Sequence, residues 1–294
     1  MLVFPPLVRP GSRVALVAPS SPFEDADLRA AVDCLAQRFE IVVAADVGAR
    51  DDYLAGSDAR RLVELQGALD DERVRAILAI RGGFGAGRIA ARLDARRFRA
   101  APKWIAGFSD ITVLHAWAQR HGVASLHGPN AGGIGRSVVD AEAVVAVLSG
   151  ERREARWPVR AFDSFAPVEG LAAGGNLTVL LHEAAAGRLP PMTGRVLLVE
   201  DVGERVYRVD RMLAALVDGG HLAGVRAVVF GHFTRCDANV DGRTLERVAR
   251  ELGERLAVPV VVGAPFGHEE PNEPFVQGAP VVVSASEVRL TLGA

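Results

Sequence analysis

In the first half of the chain, short continuous apolar runs alternate with stretches whose apolar residues recur at helical spacing. Val14-Ala15-Leu16-Val17-Ala18 reads as a buried strand that stops at the turn Pro19-Ser20-Ser21-Pro22. Residues 25–38 place Leu28, Ala31, Val32 and Leu35 on one helical face, and 58–69 do the same with Leu62, Leu65 and Leu69 behind Ser57 as N-cap. Further strands are expected at 41–44, 76–80 and 104–108, and further helices at 88–98 and 111–121. Strands that are apolar throughout, each followed by a helix, predict a parallel sheet covered on both faces. The fold class expected is therefore α/β, with an N-terminal doubly wound parallel-sheet domain.

Beyond Ser149 the pattern changes. Residues 151–167 are charged and carry Pro158 and Pro167, which predicts an irregular linker between an N-terminal domain (1–150) and a C-terminal domain (168–294). The C-terminal part reads as smaller and mixed α/β. Helices are expected at 177–186, 206–217 and 244–256, and strands at 196–199, 227–230, 258–262, 280–283 and 288–292.

Composition narrows the class. The chain has 294 residues, 49% hydrophobic and 24% charged, which excludes extensive disorder. With 34 basic and 36 acidic residues the net charge is -2, so no basic surplus points to a nucleic-acid partner. Lys103 is the one lysine among the basic residues. Cys34 and Cys236 lie far apart, offer neither a disulfide framework nor a zinc set, and fit a reduced, cytoplasmic setting. Pro5, Pro6 and Pro10 interrupt the N-terminal apolar run, which lacks the basic start of a signal peptide. No apolar run approaches the ~18 residues of a membrane span.

Four segments could carry chemistry. Ile80-Arg81-Gly82-Gly83-Phe84-Gly85-Ala86-Gly87 follows a strand, but Arg88 stands where a dinucleotide fingerprint needs its last glycine. Its exposed N–H groups suit an anion or an oxyanion, and a plain tight turn explains it equally well. Gly107-Phe108-Ser109-Asp110-Ile111-Thr112 has the strand-to-helix topology of a nucleophile elbow, although Ile111 replaces the second glycine and a simple helix cap accounts for a serine there. Leu197-Leu198-Val199-Glu200-Asp201 ends a strand in two carboxylates, which an arginine ion pair would also explain. Ala264-Pro265-Phe266-Gly267-His268 presents a histidine on a loop, alongside the alternative of a solvated surface residue. Glu269 and Glu270 do not complete a metal-binding helix face, and no metal or cofactor is expected. His127 rivals His268 as a base, whereas His115 shares its helix face with Ile111, Leu114 and Ala118 and reads as a core or rim residue.

Taken together, the motifs resemble the LD-carboxypeptidases, a serine peptidase family that includes the microcin-immunity peptidases. The resemblance runs along nearly the whole chain. It rests on Arg9-Pro10-Gly11, Val17-Ala18-Pro19-Ser20-Ser21-Pro22, Tyr53-Leu54-Ala55-Gly56 with Arg60-Arg61, Arg81-Gly82-Gly83-Phe84-Gly85 and Gly107-Phe108-Ser109-Asp110. It continues with His127-Gly128-Pro129, Gly174-Gly175-Asn176-Leu177, Glu200-Asp201-Val202, Tyr207, Asp210-Arg211-Met212-Leu213 and Phe266-Gly267-His268. The chain departs from the family at Phe84, where a tyrosine is usual, and at Ser12, where aspartate is frequent.

The resemblance implies a catalytic Ser109, Glu200 and His268 meeting at a cleft between the domains, with backbone N–H groups of Gly83 and Asp110 as the oxyanion hole. It implies hydrolysis of the L,D-amide that releases terminal D-alanine from murein tetrapeptide in peptidoglycan recycling. Arg81 is the candidate for the substrate carboxylate and Asn176 for the substrate pocket. A homodimer is expected, with no nucleic-acid or membrane partner. Two other readings use the same fold: a microcin-immunity-type peptidase acting on peptidyl- or aminoacyl-nucleotides, and a non-catalytic murein-peptide binding protein.

Overall fold

The computed structural model of the chain describes residues 2–236 and 242–293. Its contacts divide it into two units, one running to Arg153 and one from Glu154 to Leu292. In the first unit β1 (Arg13–Val17), β2 (Glu40–Val43), β3 (Val74–Ala79), β4 (Trp104–Gly107) and β5 (Ser125–His127) are mutually parallel. These five strands lie in the order β2-β1-β3-β4-β5. The order reverses direction between β1 and β3, and ligands of doubly wound folds sit outside the carboxyl ends of the strands at such a point. Residues 19–22 leave β1 and residues 81–87 leave β3, so the two turns flank the switch point.

The helices of this unit are α1 (Asp25–Leu35), α2 (Asp58–Asp70), α3 (Ala86–Ile89), α4 (Arg96–Ala100), α5 (Thr112–Arg120), α6 (Ala131–Ile134) and α7 (Val138–Ser149). Ser57 caps α2 by accepting the Arg60 N–H at 3.2 Å. The buried Lys103 closes the other end of that helix, donating to Ala68 O at 3.2 Å and Asp71 O at 2.6 Å. Burial lowers its pKa to about 8.

Two features differ from the sequence reading. The helix expected over 88–98 is interrupted, because the Gln66 amide holds both backbone groups of Asp94 and the Asp94 carboxylate restarts the chain by accepting the Arg96 N–H. The helix α7 carries apolar residues nearly all round, so it lacks the one-sided stripe that marks a helix in sequence.

The second unit begins with β6 (Glu154–Pro158) and β7 (Arg160–Ala161), within the stretch read as an irregular linker. Ala155 and Trp157 point inward while Glu154, Arg156 and Pro158 point out. The charges mask this period-two pattern in the sequence. There follow β8 (Val168–Asn176), α8 (Leu177–Ala185), β9 (Arg195–Val202), α9 (Val206–Asp218), β10 (Ala227–Thr234), α10 (Leu245–Leu256), β11 (Val260–Val262), β12 (Phe275–Gln277), β13 (Pro280–Val283) and β14 (Glu287–Thr291).

One sheet orders all of these strands except β12, as β6-β14-β13-β8-β9-β10-β11-β7. Its centre, β8 to β11, is parallel, and its flanks are antiparallel. Leu177, Leu180, Val206, Val209, Leu213 and Leu216 on the helices pack against Leu197, Val199, Val228 and Phe230 on the strands. Each such side chain, fully buried, contributes roughly 1.5–3 kcal/mol. Among the described residues no helix is long and apolar enough to cross a membrane.

His115 on α5 is the core histidine that the pattern suggested. Its Nε2–H donates to Gly107 O at 2.9 Å and its Nδ1 accepts from Ser125 Oγ at 2.9 Å. Both bonds suit a neutral ring, and burial lowers its pKa from 6.5 to about 4. Between those values the unfolded chain binds a proton that the native state refuses, so stability falls as pH drops through the window. At about 1.4 kcal/mol per pKa unit the loss is about 3 kcal/mol. Urea unfolding at pH 7 and pH 4.5 should show most of this loss in the native sequence, and His115→Gln should reduce it.

Candidate active site

In the first unit the candidate residues gather where β4 ends. Gly107 and Phe108 lead into Ser109, which adopts a left-handed φ of 64° before a single 3-10 turn delivers the chain into α5. A non-glycine residue there is strained, and the strain turns the hydroxyl out at the head of a helix. The conformation is held from outside: the Phe108 N–H donates to Asn130 Oδ1 at 3.1 Å, and the Gly128 N–H donates to Gly107 O at 3.2 Å. Gly82 lies directly against the serine. A Cβ at position 82 would stand 2.9 Å from Ser109 Cβ and 3.2 Å from its Oγ. A glycine is therefore required for the turn after β3 to approach the hydroxyl.

That turn is pinned by groups whose roles the sequence did not reveal. The buried Asp110 carboxylate accepts the Ser20 hydroxyl at 2.7 Å and the Ala86 N–H at 2.9 Å, which ties residues 20 and 86 to the start of α5. Arg61 is fully buried on α2. Its guanidinium donates to Pro19 O at 2.6 Å, Gly85 O at 2.8 Å and Gly56 O at 3.3 Å, and pairs with Asp58. One side chain thus satisfies carbonyls from three loops. The sequence signal was Arg60-Arg61 inside a helical pattern, where an arginine on the apolar face has to find buried acceptors.

A separate group of candidate residues lies in the other unit, at the carboxyl ends of β8 and β9. Parallel register sets Asn176 beside Glu200. Glu200 is fully buried, and the His268 Nδ1–H donates to its Oε2 at 2.7 Å. Burial pushes the Glu200 carboxyl above its ordinary range, against the pull of His268. Gly267 makes room for this pair: its φ is 126°, and a Cβ there would stand 3.0 Å from Glu200 Cβ and 3.2 Å from Oε2. Its N–H is anchored on Asn272 Oδ1 at 3.0 Å. The neighbouring Asp201 has another task, accepting the Thr178 N–H at 3.0 Å and its hydroxyl at 2.8 Å at the head of α8. Both carboxylates thus have partners other than an arginine.

The remaining expected residues fall as follows. Gly83 has φ 101°, and a Cβ there would stand 2.3 Å from Ser21 Oγ. Arg81 is exposed and donates to Pro22 O at 2.6 Å. Asn176 is buried; its Oδ1 caps α8 through the Val179 N–H at 3.2 Å, and its Nδ2 donates to Asp201 Oδ1 at 3.0 Å. His127 is buried, with its ring edge-on to Phe108. Among the described residues no three His, Cys, Asp or Glu side chains converge as metal ligands.

A strained serine beyond a parallel strand, and a histidine held by a buried carboxylate, are groups of the kind that serine hydrolases use. Comparison with known proteins names the class more closely. Residues 14–128 match the LD-carboxypeptidase N-terminal domain and residues 169–283 the LD-carboxypeptidase C-terminal domain. The murein tetrapeptide carboxypeptidase of Pseudomonas aeruginosa is 34% identical, over 94% of this chain and 94% of that protein. The solved muramoyltetrapeptide carboxypeptidase from Oxalobacter formigenes has a TM-score of 0.86 at 29% identity, covering 96% of this chain and 99% of that one. An MccF-like protein from Bacillus anthracis shares the fold with a TM-score of 0.88 at 20% identity, covering 98% and 99%. The chain belongs to the LD-carboxypeptidase family and is a carboxypeptidase of the serine type.

The glycine contacts make a direct prediction. Gly82→Ala and Gly267→Ala should each lower kcat for peptide hydrolysis about 100-fold, the scale of a misplacement near 1 Å. Gly48→Ala should leave kcat unchanged, because a Cβ at that position meets nothing within 4 Å.

Proposed function

We propose that the protein releases the terminal D-alanine of murein tetrapeptide through Ser109, His268 and Glu200. The observation that supports this reading is the buried Glu200, which holds His268 through Nδ1, the arrangement in which Nε2 serves proton transfer. In this reading Nε2 takes the proton of the Ser109 hydroxyl as Oγ bonds to the scissile carbonyl carbon. The Gly83 and Asp110 N–H groups receive the oxyanion. The carbonyl re-forms as the C–N bond breaks, and the imidazolium gives its proton to the leaving amine of D-alanine. Water, deprotonated by the same Nε2, then attacks the acyl-enzyme, and its proton returns to Ser109 Oγ as the peptide leaves.

Ser109 has the backbone that a nucleophile elbow demands, and Gly82 gives the turn after β3 access to its hydroxyl. The names of the Pseudomonas and Oxalobacter relatives support the choice of substrate. On this proposal the enzyme acts in peptidoglycan recycling, in the cytoplasm and as a homodimer. Arg81 faces the substrate carboxylate, while Asn176, with its amide engaged in the protein, positions Glu200 rather than binding peptide.

Ser109→Ala, His268→Ala and Glu200→Ala should each lower kcat for D-alanine release by at least about 1,000-fold, and the Ser109→Ala/His268→Ala double variant should lose no more than either alone. His127→Gln should retain most of the activity. Additive losses in the double variant, or a greater loss at His127 than at His268, would refute the assignment. Cleavage of aminoacyl-nucleotide analogues without release of D-alanine would instead favour the immunity-type activity.

A further inference from the structure

Tyr53 and Phe84 are 61% and 45% exposed, yet their rings lie together with centroids 6.0 Å apart. Most aromatic side chains in the described residues are at least partly covered; the other exposed one is Tyr207, against which Arg211 stacks. Exposure of this pair does not reflect loose chain. Tyr53 sits at the corner of a tight turn closed by reciprocal backbone bonds of 2.9 Å between Asp51 and Leu54, with Asp52 at φ 52°. The next two residues, Leu54 and Ala55, are buried, and the Ala55 N–H donates to Ser20 O at 2.9 Å. The Phe84 N–H donates to Ser21 Oγ at 3.1 Å. Arg61 then joins both turns, since it binds the carbonyls of Gly56 and Gly85. Two apolar rings are thus held at fixed spacing with their surfaces in water. That is preorganisation for a ligand.

The place of the pair names the ligand. Gly82 touches Ser109, and Phe84 is two residues further on, so its Cα lies within about 7.6 Å of the Gly82 Cα. A peptide residue spans about 3.5 Å, so a substrate with its scissile carbonyl beside Ser109 brings an adjacent residue to the rings. The leaving D-alanine offers one methyl group and a carboxylate, too little apolar surface for two rings. The residue on the acyl side carries the longer side chain.

We infer that the Tyr53–Phe84 pair is a substrate subsite that packs against the aliphatic side chain of the residue on the acyl side of the scissile bond. The inference rests on the peptidase reading above and adds which part of the peptide is selected, and by which residues. The ring faces supply the contact, so phenylalanine in place of the family's usual tyrosine at position 84 preserves it.

The test uses two tetrapeptides that differ only at the third residue, diaminopimelate in one and alanine in the other. The native protein should prefer the long side chain. Phe84→Ala and Tyr53→Ala should each lower kcat/KM for the diaminopimelate peptide about tenfold more than for the alanine peptide, the lower end of what a hydrophobic contact discriminates. Tyr53→Phe and Phe84→Tyr should keep the preference, which an effect of the phenol would not, and a folding defect would lower activity on both peptides alike. Equal losses on both peptides in the alanine variants, or an unchanged preference, would overturn the subsite while leaving the peptidase intact. A native protein inert on both peptides would overturn the peptidase reading and the subsite with it.

Discussion

A carboxylate with no exposed surface must be given hydrogen-bond donors by its neighbours, and at Glu200 the imidazole of His268 is one of them. Much of the second unit serves to keep that bond. The parallel pairing of β8 with β9 brings Glu200 to the end of the sheet beside Asn176. The loop bearing His268 is attached to β10, where the Ala264 N–H donates to Phe230 O at 3.1 Å and the His232 N–H donates to Phe266 O at 2.7 Å. Gly267 then lets the backbone pass the carboxylate at a distance no side chain would permit. Removing the histidine would leave a buried charge with one partner fewer, which is more costly than never having made the pair.

The first unit solves a different problem. Its candidate groups lie on turns, and turns have to be fixed by something other than sheet or helix ladders. Arg61 and Asp110 do this from within the protein, a buried cation collecting carbonyls and a buried anion collecting an N–H and a hydroxyl. Their complementary choice follows from chemistry: guanidinium only donates and carboxylate only accepts, so together they satisfy the loose ends of loops on both sides of the β1/β3 switch point. The same residues set the spacing of Tyr53 and Phe84.

Legibility in the sequence followed the range of the interactions. The strands β1, β3 and β4 were plain, because a continuous apolar run followed by a helical pattern is a local signal. Ser109 and His268 were visible as punctuation at strand ends, and the family resemblance singled them out from His127. By contrast, the Asp110 carboxylate bonds Ser20 from ninety positions away, and Arg61 reaches Pro19 from forty-two. No window of sequence contains those pairs. The strand β6 was hidden for another reason: its outward residues are charged, and an edge strand with Glu154 and Arg156 facing water looks like a linker until Ala155 and Trp157 are seen to be buried.

Neither the Ser109 turn nor the buried Glu200 is explained by stability. A left-handed serine costs roughly 1–3 kcal/mol, and a glycine or asparagine at position 109 would adopt the same turn more cheaply. Glu200, buried and raised in pKa, is less favourable to folding than an apolar residue of its size would be. Folded sequences are locally consistent nearly everywhere, and places where they accept strain or a desolvated charge are where function constrains the choice. The same reasoning covers Tyr53 and Phe84, whose apolar rings are left in water although the turns that bear them are tightly held. Three unrelated departures from the cheapest solution (strain, charge burial and exposed aromatic surface) lie at Ser109, at Glu200 beside His268, and on the turns next to Ser109. A scaffold optimised for folding alone would have removed each of them.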